Sequence, residues 1–67
     1  MKKYLTISQR GKKELYEDFE TAKKVAEKKN KTQKFKWSVY EMPEAEVKRY
    51  NESGKIYIDN CKEMYKP

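Results

Sequence analysis

Cys61 is the sole cysteine of this 67-residue chain, and the sequence contains no histidine. A lone thiol closes no internal disulfide, and a structural zinc site takes about four ligands. Neither staple common in small domains is therefore open to it. At this length folding buries only about 60% of the surface that the unfolded chain exposes. The core must come from a short apolar complement, 36% of residues against 42% charged. Six tyrosines, two phenylalanines and one tryptophan supply large contact areas per residue. The apolar positions are clustered and periodic, which separates the chain from the disordered class.

The pattern predicts a single α+β domain over residues 1–67, with 60–67 either a frayed helical turn or a loose tail. Lys2 to Ser8 alternates, with Leu5 and Ile7 on one side and Tyr4, Thr6 and Ser8 on the other, as in a half-buried strand. Gly11 suits a turn leading into a second short strand over Lys13 to Glu17. Leu15, Phe19, Ala22 and Ala26 are spaced by four, three and four, a helical stripe. That stripe allows a start near Lys13, but the Gly11 turn favours a later one, capped by Asp18 or Thr21 and running to Asn30. Lys34 to Met42 alternates again, with Phe35, Trp37 and Val39 facing inward, and Pro43 ends it. Beyond it a hairpin is expected, Glu46–Tyr50 with Lys55–Asp59 around a turn at Gly54. Its rival is a short helix from Pro43 to Tyr50.

Together these elements form two layers, one helix on an antiparallel sheet in the order β-β-α-β-β. The expected core is Leu5, Ile7, Leu15, Phe19, Ala22, Val25, Ala26, Phe35, Trp37, Val39, Val47, Ile56 and Ile58. One helix covers one side of a sheet. The other side would carry Tyr4, Thr6, Tyr16, Lys34, Lys36, Ser38, Tyr40, Tyr50, Lys55 and Tyr57. Rings interleaved with lysines suit a single strand of nucleic acid, where rings stack on bases and ammonium groups track phosphates. They suit a protein partner equally. The bland alternative is an exposed sheet face stabilised by cross-strand Tyr–Lys pairs.

The net charge of +6 is unevenly placed: residues 1–36 carry twelve Lys/Arg and five Asp/Glu, and residues 37–67 carry five and six. Between Lys23 and Lys36 stand seven lysines and the single Glu27. Such a field attracts polyanions, although lysines on a helix are commonly a solvated face, and only two arginines are available for forked recognition of phosphate. The candidate contact residues are Lys23, Lys24, Lys28, Lys31, Lys34, Lys36, Tyr4, Tyr40 and Tyr57.

Catalysis is not expected. Without histidine the usual near-neutral proton shuttle is missing, Cys61 has no histidine partner, and the carboxylates form no metal-binding spacing. No cofactor, metal or small-molecule substrate is called for. The stretch Tyr4 to Gln9 is too short and polar for a signal peptide, and no run approaches a membrane span. The expected location is the cytoplasm, which the unpaired thiol also fits.

Phe19-Glu20-Thr21-Ala22-Lys23-Lys24-Val25-Ala26-Glu27, followed by the strand Phe35 to Met42, resembles helix-then-strand pieces of many small α+β proteins. With its size and lysine bias, the chain looks like small phage and prophage proteins of AT-rich bacteria. The resemblance implies an accessory protein that binds a macromolecule. The expected function is a non-enzymatic module contacting nucleic acid. The alternatives are a phage-type protein that docks on an acidic host protein and inhibits or redirects it, and a structural subunit that self-associates as a homo-oligomer.

Overall fold

The computed structural model describes residues 2–67. Seven elements follow along the chain: strands β1 (Lys3–Ser8) and β2 (Lys13–Tyr16), helix α1 (Phe19–Thr32), strand β3 (Trp37–Met42), helix α2 (Glu44–Ser53), a 3₁₀ turn (Ile58–Asn60) and strand β4 (Lys62–Tyr65). The strands form one antiparallel sheet in the order β2-β1-β3-β4.

The first half forms as its local signals dictate. Gly11 takes φ 88° in the β1–β2 turn, a conformation that costs a residue with a Cβ. Asp18 caps α1, its Oδ2 accepting from the Thr21 N–H at 3.0 Å and so satisfying one of the open first-turn donors. Ala22 and Ala26, four apart, are fully buried, and the helix lies across β1 and β3.

The register of β1 differs from expectation. Thr6 pairs with Val39 and Ser8 with Trp37, whereas Leu5 lies between Tyr40 and Leu15. Residues opposite one another across a ladder share a face. The side beneath α1 therefore carries Tyr4, Thr6, Ser8, Trp37 and Val39, and Leu5 and Ile7 point away from that helix. Thr6 is fully buried, its hydroxyl donating to the Glu14 carbonyl at 3.3 Å.

Leu5 and Ile7 meet a second layer. Residues 46–50, expected as the first arm of a hairpin, lie in α2, which packs on the opposite face, and residues 55–59 are irregular chain running into the 3₁₀ turn. Pro43 sits at φ −65°, and its carbonyl accepts from the Glu46 and Val47 N–H groups. Its fixed φ suits a helix start, and Val47 is the lone β-branched residue within Glu46–Tyr50, too little to hold a strand. Leu5, Met42 and Val47 centre this second core, flanked by Ile7, Leu15, Tyr40, Tyr50, Ile56, Ile58 and Cys61. Buried Glu46 ties α2 to the 3₁₀ turn, Oε1 accepting from Asn60 Nδ2 at 2.9 Å and pairing with Arg49 at 3.2 Å.

Three expectations are thus corrected. There are two helices rather than one, in the order β-β-α-β-α-β. No sheet face is left uncovered, because each carries its own core. The 60–67 tail is not loose, since Lys62–Tyr65 pairs with β3.

Gly54 closes α2 at φ 75°, donating to the Tyr50 carbonyl at 2.7 Å. A Cβ there would meet nothing within 4 Å, so replacement costs backbone conformation alone. Gly54→Ala should destabilise the fold by about 1 kcal/mol, measured by urea unfolding. Gly54→Asn should cost less, because asparagine tolerates the left-handed cap.

Candidate nucleic-acid interface

Two cation-rich stretches lie within the long carboxylate-free runs 1–13 and 28–40. Residues 8–13 hold Arg10, Lys12 and Lys13, and residues 28–36 hold Lys28, Lys29, Lys31, Lys34 and Lys36. The fold places them side by side. The Gln9 N–H donates to the Lys36 carbonyl at 3.0 Å, the Lys36 N–H donates to Gln9 Oε1 at 3.3 Å, and Ser8 pairs with Trp37. The rest of the chain carries nine basic and eleven acidic residues, a balance of −2. The excess positive charge therefore lies in these two segments, which form one pole, although Lys13 turns to a separate cleft with Tyr50 and Tyr57 and Lys29 is paired with Glu14.

Trp37 anchors the pole. The indole is 2% exposed, and its backbone exchanges two bonds with the Asn30 side chain, N–H to Oδ1 at 2.6 Å and Nδ2 to the carbonyl at 3.1 Å. Nε1 donates to Gln33 Oε1 at 3.0 Å. Lys29 Nζ stands 4.2 Å from the indole centroid and 3.1 Å from Glu14 Oε2, so this lysine is spent on structure. Among the described residues, no salt bridge engages Arg10, Lys12, Lys28, Lys31, Lys34 or Lys36, and all six are exposed.

Between the β1–β2 turn and the α1–β3 loop lies a cleft of about 370 Å³, lined by Ser8, Arg10, Lys12, Gln33, Phe35 and Trp37. Ser8 Oγ shapes the turn by accepting from the N–H groups of Arg10 at 3.2 Å and Lys12 at 3.1 Å. The Arg10 guanidinium lies 5.0 Å from the Phe35 ring centroid, a cation–π distance. Phe35, expected in the core, is 37% exposed.

The expected contact residues do not form one surface. Lys28, Lys31, Lys34 and Lys36 belong to the pole. Lys23 and Lys24 lie near the start of α1, and Lys24 is about 10 Å along the axis from Lys31. The three tyrosines are in three places. Tyr4 is half-buried under α1 with its ring centroid 5.9 Å from that of Phe19. Tyr40 packs on the other face and donates to Glu63 at 3.2 Å. Tyr57 is exposed in the segment before the 3₁₀ turn, with Arg49 5.4 Å from its ring centroid. No stacking platform joins them. Arg10, Lys12, Gln33 and Phe35 are the residues that a count along the chain misses. The signal available was the absence of carboxylate from both 8–13 and 28–36.

Burial pushes the Cys61 thiol upward, away from thiolate, with the Glu46 charge adding to it. Its Sγ donates to the Tyr57 carbonyl at 3.5 Å. Among the described residues, no group of three or more acidic or cysteine side chains is arranged to hold a metal ion, and no helix is long and apolar enough to cross a membrane.

The structural carboxylates behave differently. A hydrogen bond from Tyr16, 2.8 Å, holds Glu14 below the usual carboxylate range, with Lys29 adding to it. The Thr21 hydroxyl and N–H do the same for Asp18. Both groups release protons more readily folded than unfolded, so their stabilisation is complete above the ordinary range and is lost as pH falls through it. The thermal midpoint should hold from neutrality to about pH 5 and fall between about pH 5 and 2. Asp18→Asn, which still caps but does not titrate, should flatten part of that fall.

Comparison of the chain with protein-family models, curated proteins and solved structures returns no significant match. Function must be read from the charge and geometry of the pole.

Proposed function

We propose that this chain is a non-enzymatic module that binds nucleic acid through the pole formed by Arg10, Lys12, Lys31, Lys34 and Lys36. The observation that carries the reading is the segregation of charge. Eight cations and no carboxylate stand in two adjoining segments, and the remainder is slightly acidic. Cations that are not spent on salt bridges release the condensed counterions of a polyanion when they meet its phosphates, and that release drives association. Lysine point charges without a forked base contact favour the backbone over the sequence.

The test is a salt titration of a labelled single-stranded oligonucleotide by fluorescence anisotropy. If four phosphates are contacted, affinity should fall about 50-fold between about 50 and 200 mM salt. No binding at the lower salt, or binding indifferent to salt, would remove the proposal.

A further inference from the structure

We infer that the cleft beside Phe35 takes one unpaired nucleotide, so that the pole prefers single strands to duplex. This rests on the function proposed above and adds to it the form of the ligand. The inference begins with the hydrogen bonds lining the cleft. Ser8 Oγ already accepts two backbone N–H groups, which leaves its own hydrogen to donate. Trp37 Nε1 is a donor only, so the Gln33 amide must turn its oxygen to the indole and leave its NH₂ end for a ligand. Arg10 and Lys12 donate and cannot accept. All four polar side chains of the lining therefore offer hydrogens, and the matching ligand is rich in acceptors. Phosphate oxygens and the carbonyl edges of bases have that character.

The apolar part of the lining narrows the class. Phe35 leaves 37% of its surface exposed, between Lys34 and Lys36, and the guanidinium against it also belongs to the cleft. The guanidinium lies over one face of the ring, so a base stacks on the ring when the fork swings out to meet its phosphate, or on the guanidinium plane itself. At about 370 Å³ the cleft lies near the lower end of the range for small-molecule sites, about 300–1,000 Å³. It admits one flat group. In a duplex the base faces are stacked on one another and cannot reach the ring, so only the cations would engage.

Four ligands separate the terms: a single strand of about 12 nucleotides, an abasic strand of the same length, the corresponding duplex, and a phosphotyrosine peptide. With the wild-type protein at low salt, the single strand should bind about tenfold more tightly than the abasic strand. The duplex should show no such gain. Phe35→Ala and Phe35→Leu should both erase the tenfold difference while retaining salt-dependent binding, and Phe35→Tyr should keep it. Leucine preserves apolar bulk without a stacking face, and circular dichroism confirms that each variant is folded. Equal affinity for the intact and abasic strands would overturn the inference and leave the proposed function standing. So would tighter binding of the duplex or of the phosphopeptide than of the intact strand. Failure of every nucleic acid to bind at low salt would overturn both.

Discussion

The fourfold variant R10E/K12E/K34E/K36E should bind a single strand at least about 100-fold more weakly than the wild type at low salt. Its fold should be retained. All four side chains are exposed and none takes part in a salt bridge among the described residues, so reversing them removes no buried partner. Surface substitutions of this kind usually change stability by less than about 0.5 kcal/mol each. The loss of the Arg10–Phe35 contact adds about 0.5–1 kcal/mol.

The change takes the net charge from +6 to −2, and that alone weakens affinity for any polyanion. A second variant isolates position from total charge. K48E/K55E/K62E/K66E reaches the same −2 using four lysines that are equally exposed but lie outside residues 8–13 and 28–36. It should keep most of the affinity and most of the salt dependence, because long-range terms are screened beyond about 10 Å while contact terms are not. If the two variants lose affinity alike, binding follows net charge and the pole has no special part.

Where signals were local, the sequence was legible. Asp18 three residues ahead of Thr21, the Ala22–Ala26 spacing and Gly11 between two short alternating runs each name a structure formed within a few residues. β3 was also legible, although it begins at Trp37 rather than Lys34, which is why Phe35 lies outside the core. The phase of β1 was not. Alternation tells which residues share a face but not which layer covers it, and in a sheet buried on both sides both sets go inside. Leu5 and Ile7 are more apolar than Tyr4 and Thr6, and hydropathy alone therefore places them under α1. The deciding fact is the pairing of Thr6 with Val39, a contact 33 residues apart along the chain.

β4 reads Lys-Glu-Met-Tyr, with no β-branched residue and two charges, as suits an edge strand that must not recruit another. Its register shifts at Val39/Tyr40, which disturbs whatever alternation remained. The pole was hidden for a related reason. Charge counted along the chain picks out residues 23–36, which includes Lys23 and Lys24 but omits Arg10 and Lys12. The Gln9–Lys36 bonds and the Arg10–Phe35 contact join the two cationic segments, and glutamine in a turn announces nothing.

Trp37→Ala should remove most of the stability of the domain. Replacing a buried tryptophan by alanine costs about 3–5 kcal/mol, more where the neighbours cannot close the space. Here the buried neighbours are Ala22, Ala26 and Val39, with Tyr4, Tyr16, Phe19 and Tyr65 packed around them; the three buried side chains are short, and the rings must shift to fill the space. A domain of 67 residues is expected to hold about 3–10 kcal/mol in total, so the variant should be largely unfolded or close to it. Trp37→Phe keeps most of the volume and gives up the bond to Gln33, a half-exposed contact worth about 1 kcal/mol. Urea unfolding followed by far-ultraviolet circular dichroism is the suitable measurement, since Trp37 is the sole tryptophan and its fluorescence disappears with it. A midpoint for Trp37→Ala equal to the wild type would contradict the burial of the indole. The same residue forms the floor of the cleft, joined to α1 through Asn30 and Gln33 and to β1 through its pairing with Ser8. Binding should therefore fall with folding in Trp37→Ala and return with it in Trp37→Phe, because this residue joins the two segments that carry Arg10 and Phe35.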